Sequence, residues 1–582
     1  MDRRLGSARP RTGCAEAVEA ERLRPSNRSR RRSTRLISVL LAVALVASCG
    51  GDSGAGEKPS RTRSVKGESG LSTAGGPVRG GRLVYGLEAE SPAGWCLPEA
   101  QPAISGTMVR TAIYDTLTVD NDQNQVVPSL ARSLTPNETF DEWTFVIRDG
   151  VRFHDGTTLD ATVVKNNIDA YRGRYPGRSP TAALFLLADV DKVTVTDPMT
   201  VVVTTKVPWI AFPKLWTILG IMAQAQLDDR ETCDTNLIGT GPFELASWKQ
   251  DQELLAQRNA DYWQIAPDGK PYPYLDAIAF RPIPDAAQRI GALQAGEINA
   301  MMTSEPTDIA GPLTDFRDEG SINMLVSEQH AEVEYVLLNN SKPPFDDLKM
   351  RRAVALGLDR EAFNDLTNDG FPTIADQPFP PGDPGYLEDN GFPDHDPAQA
   401  KALVDEYRAG GGDPSFTLSF DFDSKVTARG AVIQNQLKEV GIDVRLQAAD
   451  EGTIINQLIG GTYDAALARY FSGGEPDEYY LFWYGKVDSP MNFNRVKSPV
   501  IDAAMEQARS EPDPDKRREA YERISLDFAE NVWDVWLNYA PWAVALSNDV
   551  HGIYSVEYPD GHGVPAVSLS RGHPLHGLWM EG

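Results

Sequence analysis

Short apolar segments separated by turn residues mark the strands in the first half of the chain. The turns at Asp149-Gly150 and Asp197-Pro198 predict two hairpins, 143–148 with 151–153 and 192–196 with 200–205. Asp160 and Asp346 each precede a run with helical spacing, so both are predicted N-caps. The first half therefore mixes short antiparallel strands with capped helices.

Helical periodicity dominates the second half. Residues 426–440 place Val432, Ile433 and Leu437 on one face, and Gly441 stands where a left-handed residue would end the helix. Predicted strands alternate with such helices at 442–446, 463–467 and 532–537. Alternating helices and strands indicate an α/β fold, with a sheet covered by helices.

The N-terminus has the charge and length of an export signal. Five arginines between Arg28 and Arg35 precede the apolar run 36–47, which is too short for a spanning helix of roughly 20 residues. The run ends at Cys49 after two small residues, a pattern that resembles a bacterial lipobox. We expect residues 1–48 to be a lipoprotein signal peptide, with Cys49 as the lipid attachment site. The alternative is a plain secretory signal with a coincidental cysteine.

Composition changes sharply after this signal. Residues 49–79 are mainly Gly, Ser, Pro and charged residues, which predicts a flexible tether. Residues 1–48 are basic although the whole chain has a formal net charge of −27, so the remainder is strongly acidic. Such a surface excludes nucleic acid as a favoured partner. A length of 582 residues predicts several structural units.

Two cysteines remain for the folded part of the chain, Cys96 and Cys233. In the oxidising compartment that an export signal implies, such a pair predicts a disulfide. The alternative is two free, buried thiols.

Five segments, taken in order, resemble the family 5 solute-binding proteins of ABC importers, the peptide and nickel binding group. The segments are 126–164, 238–263, 274–300, 338–363 and 512–524. The resemblance implies a two-lobed fold of the type II periplasmic-binding-protein class, with an extra subdomain on lobe I. The implied divisions are 80–120 and 208–330 for lobe I, 121–207 for the subdomain, 331–539 for lobe II, and 540–582 for the closing segment of lobe I with the C-terminal tail. We expect the chain to cross between lobes near Leu338-Asn339 and Tyr539-Ala540.

The same resemblance implies a monomeric binding protein at the outer face of the cell membrane. It would capture a peptide or a similar medium-sized organic solute between its lobes and pass it to the permease subunits of an ABC importer. Such a protein is not an enzyme and needs no cofactor or metal. The alternative is a sensory or adhesion lipoprotein that uses the same fold without transport.

Candidate ligand-binding residues come from aromatic and acidic positions near two predicted loops. They are Glu90, Trp95, Trp216, Tyr470, Phe471, Ser472, Glu475 and Trp483. Peptide-binding members of the family often carry an aspartate in the second loop, where this chain has Ser472-Gly473-Gly474. For each aromatic residue, core packing is the alternative to ligand contact. His562, His573 and His576 are expected in a surface tail rather than in a metal site.

Overall fold

A computed structural model describes residues 75–91, 94–100, 106–470, 474–487, 489–563 and 571–581. The predicted signal peptide, Cys49 and most of the predicted tether lie outside these residues. The described residues all fall within one unit, Arg61–Gly582.

The strands are β1 (Arg82–Leu87), β2 (Thr118–Asp120), β3 (Val126–Pro128), β4 (Ala131–Pro136), β5 (Glu142–Ile147), β6 (Val190–Asp197), β7 (Thr200–Thr205), β8 (Phe243–Lys249), β9 (Glu253–Arg258), β10 (Ala277–Pro282), β11 (Ala300–Thr303), β12 (Ile322–Leu338), β13 (Phe416–Asp421), β14 (Val444–Ala449), β15 (Ala465–Tyr470), β16 (Asp534–Ser547), β17 (Val550–His551) and β18 (Trp579–Met580).

The helices are α1 (Thr107–Ile113), α2 (Ala161–Tyr171), α3 (Ala182–Leu186), α4 (Phe212–Leu215), α5 (Gln224–Asp228), α6 (Ala286–Gln294), α7 (Pro306–Asp308), α8 (Thr314–Asp318), α9 (Leu348–Gly357), α10 (Arg360–Asn368), α11 (Pro397–Ala409), α12 (Ser424–Glu439), α13 (Glu451–Gly460), α14 (Tyr480–Trp483), α15 (Pro499–Ser510) and α16 (Pro514–Asn531). Of the helices described, none has both the length and the apolar character that a membrane span requires.

Two long strands, β12 and β16, form the centre of the main sheet. Among the described residues this sheet has ten strands, in the order β14-β13-β15-β12-β16-β11-β1-β10-β9-β8. The strands on the β11 side belong to lobe I and those on the β15 side to lobe II. Each lobe has its own hydrophobic core, so the predicted two-lobed α/β fold is confirmed.

A separate sheet with the order β4-β5-β7-β6 forms a smaller unit, with α2 packed against β6 and β7. The hairpin of β6 and β7 is as predicted. The predicted pairing of 143–148 with 151–153 is wrong, because β5 lies between β4 and β7. The apolar side chains of Val151 and Phe153 are buried in the core of this unit, which explains the misleading pattern.

Side-chain caps fix where the helices begin. Asp160 caps α2 by accepting from the backbone N–H groups of Thr162 and Val163, as predicted. Asp347, rather than the predicted Asp346, caps α9. The N–H of Asp346 already bonds to a carbonyl in the preceding turn, so the helix starts one residue later.

The predicted disulfide between Cys96 and Cys233 is present, and both residues are buried in the core of lobe I. It joins the segment after β1 to the segment after α5. The expected surface tail is wrong in part, since His573 and His576 are only 3% and 6% exposed. Aromatic side chains from lobe I surround both rings.

Candidate ligand-binding cleft

The two lobes are connected through a break in the pairing of β12 with β16. Ser327 pairs with Trp542 and Glu332 with Ala540, so residues 328–331 stand opposite Pro541. Proline has no N–H to donate, which explains why the ladder is interrupted there. A break in both crossing strands is a place where small backbone changes can rotate one lobe against the other.

The break lies at 328–331, earlier along the chain than the predicted crossing at Leu338-Asn339. The apolar run that ends at Leu338 is the interior of β12 within lobe II, and each of its last residues pairs with β15. Residues 328–331, which precede this run, have no pairing partner in β16.

Charged side chains connect the lobes close to this break. Lys425 on α12 of lobe II places its Nζ 2.8 Å from Oδ1 of Asp308 on α7 of lobe I. One helical turn further, Nη2 of Arg429 lies 3.1 Å from both carboxylate oxygens of Glu305. The arginine is almost fully buried, at 2% side-chain exposure. The lobes are therefore in contact, and the contact is ionic.

A group of four charges that we call the floor cluster lies between β1 and β15: Glu88, Arg289, Glu332 and Arg469. Glu88 pairs with Arg289 at 3.2 Å, and Nη1 of Arg469 donates to Ser304 across the lobe boundary at 2.8 Å. Burial raises the pKa of Glu332 to about 6, against the lowering effect of Arg469. Burial also raises the pKa of Glu88, while Arg289 opposes the shift. Charges of both signs thus face each other beside the hinge.

A second contact joins the four-stranded unit to lobe II. Arg509 on α15 donates to Asp477 at 2.7 Å and to Asp189 of the four-stranded unit at 2.6 Å. Nε1 of Trp209 donates to the other oxygen of Asp477 at 2.6 Å, and the Arg509 guanidinium lies 4.2 Å from the Trp209 ring centre. Burial alone would lower the pKa of Arg509, but the facing carboxylates outweigh it and the pKa is raised. These groups form a buried clasp between the four-stranded unit and lobe II.

In lobe I and the four-stranded unit, the predicted ligand residues are buried. The carboxylate of Glu90 accepts from Nε1 of Trp248 and from the N–H of Asp251, at 3.1 and 2.8 Å. Trp95 is fully buried in the lobe I core, and Trp216 in the core of the four-stranded unit. Both tryptophans pack in a hydrophobic core, which was the alternative to ligand contact. Their contact with a ligand stays a prediction.

In lobe II, two of the predicted residues, Tyr470 and Trp483, are in direct contact. Nε1 of Trp483 donates to the hydroxyl of Tyr470 at 2.8 Å, and both side chains are buried. Glu475 is partly exposed and accepts from the hydroxyl of Tyr521 at 2.9 Å. Burial raises the pKa of Glu475. Its role toward a ligand also stays a prediction. Outside the described residues lie Phe471 and Ser472.

Sequence reasoning missed the ionic contacts between the lobes. A usable signal exists for Glu332 and Glu334, since two carboxylates stand within the apolar run of a buried strand, where charged residues are rare unless paired. Arg469 stands in the apolar strand β15 in the same way. No local pattern marks Arg429 or Arg509, because each lies on an ordinary amphipathic helix.

Comparison with known proteins decides what kind of cleft this is. Residues 125–491 match the model of the bacterial extracellular solute-binding proteins, family 5 Middle. The chain belongs to this family. Its general function is the capture of a solute outside the cytoplasm for import by an ABC transporter.

Two similar proteins show how far the resemblance of this family 5 chain extends. The oligopeptide-binding protein AppA of Bacillus subtilis is 28% identical over 557 residues, which cover 90% of this chain and 96% of AppA. The structure of AppA in complex with a nonapeptide matches 87% of this chain and 100% of that one, with 23% identity and a TM-score of 0.72. The protein AgaA in complex with agropinic acid, from A.tumefacien R10, has 22% identity and a TM-score of 0.75, covering 86% and 99%.

Proposed function

We propose that this chain is a lipid-anchored receptor that holds a peptide or a similar medium-sized organic solute between its lobes and delivers it unchanged to an ABC permease. The observation that carries the proposal is the hinge beside ionic contacts that span the cleft. Such contacts form as the lobes close, and closure excludes water and strengthens polar interactions with the solute. Binding and release suffice for this role, so the chain is not an enzyme. A Kd near ~1 μM corresponds to about −8 kcal/mol and allows both steps.

The chemistry of the floor cluster supports a ligand that carries both charges. Glu88 and Glu332 can accept from an ammonium group, while Arg289 and Arg469 can donate to a carboxylate. A peptide with free ends has both groups, and AppA is an oligopeptide-binding protein. In the loop that follows β15, this chain has Ser472-Gly473-Gly474 where peptide-binding members of the family often carry an aspartate. The amine of a peptide would therefore be bound by the floor cluster or by Glu475.

A direct test uses a panel of synthetic peptides of different lengths and measures the affinity of those that bind by calorimetry. Arg469→Gln removes a charge of the floor cluster and should weaken binding at least about tenfold, equivalent to 1.4 kcal/mol. Arg445→Gln is the matched control, because Arg445 is exposed on β14 of the same lobe. Equal affinity of both variants and the wild type would show that the solute does not use this cluster. Failure of every peptide to bind would reject the peptide class.

The lipid anchor is part of the same proposal and rests on the sequence around Cys49. Stable anchoring requires more than one acyl chain. Cells that express the full chain with labelled palmitate should yield a labelled, membrane-associated protein, and Cys49→Ala should abolish the label. An unlabelled wild-type protein in the culture medium would favour the plain secretory signal instead.

A further inference from the structure

Arg110 on α1 is a partly buried cation that has no acidic partner among the described residues. Its Nη1 donates to the carbonyl of Ile218 at 2.7 Å. Burial, together with the like charge of Arg571, lowers the pKa of Arg110 to about 10. The sequences 101–105 and 564–570, adjacent to the segments that carry these arginines, contain no Asp or Glu. A buried charge without a counter-charge is costly, so this arrangement calls for an anion.

Arg110 and Arg571 both line a cavity of about 150 Å³ between α1 and the C-terminal segment. The hydroxyl-bearing residues Thr111 and Thr217 line it as well. A space of this size holds several water molecules or one small oxyanion group. The cavity therefore has two guanidinium groups on its wall, whereas the hydroxyls of Thr111 and Thr217 donate to the carbonyls of Thr107 and Lys214.

The acidic residues of the cavity wall already have partners. Asp115 accepts from Thr240 and Trp263, each at 2.9 Å, and from Tyr262 at 3.0 Å. Asp120 pairs with Lys214 at 2.9 Å, one cation for one anion. The three donors to Asp115 are neutral, so its carboxylate keeps its charge, but among the described residues neither Asp115 nor Asp120 forms an ion pair with Arg110.

The two histidines of the wall do not add charge at neutral pH. Burial lowers the pKa of His573 to about 4 and that of His576 to about 3, so both rings are neutral. His573 bonds through one ring nitrogen to Tyr85 and through the other to a backbone carbonyl. The positive charge at the cavity comes from the arginines.

The backbone of the C-terminal segment fixes the position of Arg571. Gly572 has a φ of +87°, and a Cβ there would lie 2.9 Å from Sδ of Met108, so glycine allows the segment to lie directly against α1. The guanidinium of Arg571 also pairs with Glu478 of lobe II. The residues that line the cavity belong to lobe I and the four-stranded unit, and Arg571 connects its wall to lobe II.

We propose that this cavity is an oxyanion site, in which Arg110 and Arg571 hold a carboxylate or a phosphate-type group. Guanidinium groups suit this role because their planar donors match the oxygens of such groups. We assign the cavity to an anionic group of the captured solute, because Arg571 in its wall contacts Glu478 of lobe II. This assignment rests on the proposed function. A free inorganic oxyanion shares the same chemistry and is the other possible occupant.

The first experiment needs no solute. Thermal unfolding and calorimetry follow titration with sodium phosphate and sodium acetate, at an ionic strength kept constant with sodium chloride. The wild type should show a saturable rise of Tm, and Arg110→Gln should weaken phosphate binding at least about tenfold, the size expected for loss of a charged hydrogen bond. Arg110→Lys, which keeps the charge, should retain part of the effect and shows that the fold survives substitution.

Arg172→Gln is the matched control. Arg172 also donates to a backbone carbonyl, that of Val190 at 2.6 Å, but it has Asp169 as an acidic partner at 3.5 Å. This variant should bind phosphate like the wild type. If neither phosphate nor acetate shifts the Tm of the wild type, or if both glutamine variants lose the effect equally, the oxyanion site is refuted.

A second experiment separates the two occupants. Peptides with a free C-terminal carboxylate are compared with the same peptides carrying an amide, on the wild type and on Arg110→Gln. A preference for the free acid that disappears in the variant supports the solute as occupant. If phosphate binds but the free acid is not preferred over the amide, the oxyanion site is supported and the solute is rejected as its occupant. Phosphate binding with no peptide binding at all refutes the peptide ligand of the proposed function and leaves the site standing.

Discussion

Replacing Trp209 by phenylalanine removes one hydrogen bond that exists only while the four-stranded unit touches lobe II. Nε1 of Trp209 donates to Asp477 at 2.6 Å, and the two residues are 1% and 6% exposed. In the closed state the variant leaves a carboxylate oxygen without a partner and without water, which costs roughly 1–3 kcal/mol. In the open state water solvates that oxygen, so the variant shifts the equilibrium towards the open form. The Kd of a solute that binds the closed form should therefore rise by about 5- to 150-fold, which corresponds to that cost.

Trp143→Phe is the control for loss of the indole ring. Among the described residues Nε1 of Trp143 has no hydrogen-bond partner. Both tryptophans pack against Phe212, with distances between ring centres of 6.1 Å for Trp143 and 5.3 Å for Trp209. Isothermal titration calorimetry with a peptide ligand should give the wild-type Kd for Trp143→Phe and a higher Kd for Trp209→Phe. A wild-type Kd for Trp209→Phe would refute the clasp. Equal losses in both variants would assign the effect to ring packing instead.

Three further predictions concern stability. Serine at both Cys96 and Cys233 should lower the unfolding free energy in urea by about 5 kcal/mol, because the disulfide spans 137 residues; an unchanged midpoint would contradict this. The pKa of Glu332 is raised to about 6, so the folded state keeps a proton that the unfolded state releases above its ordinary pKa of 4.5. The free energy of unfolding should therefore fall by about 2 kcal/mol as the pH rises from about 4.5 to about 6. Glu332→Gln should remove this decrease, and parallel pH profiles of the variant and the wild type would contradict the prediction. Gly572→Ala should lower the Tm because of its positive φ, whereas Gly291→Ala, in a helix with open space around it, should raise the Tm slightly.

Local sequence patterns predicted individual elements well where a side chain fixes the backbone. Asp160 begins α2 by capping it, and Gly441 adopts a φ of +91° after α12, as its position indicated. The predicted crossing at Leu338-Asn339 was taken from the end of the hydrophobic run of β12, whereas the break in its pairing lies at 328–331, beside the other predicted crossing at Tyr539-Ala540. Pro541, which breaks the pairing with 328–331, carries the relevant signal, but a proline in an apolar run shows its effect only once its partner strand is known.

The candidate site was harder to predict than the fold. Aromatic residues such as Trp216 and Trp483 have the same composition signal whether they line a cleft or fill a core, and in this structure both are fully buried. The charges that meet across the cleft come from distant segments, as Arg429 meets Glu305. Their proximity follows from the sheet order, which no local pattern contains.

The central claim is that the two lobes close around a solute at the break between β12 and β16. Double electron–electron resonance tests it with spin labels on cysteines introduced at Ile265 in lobe I and Phe422 in lobe II, two exposed positions 59% and 64% accessible. A peptide that binds should convert the distance distribution into a narrower one centred at a different separation. Identical distributions with and without a bound peptide would contradict the account.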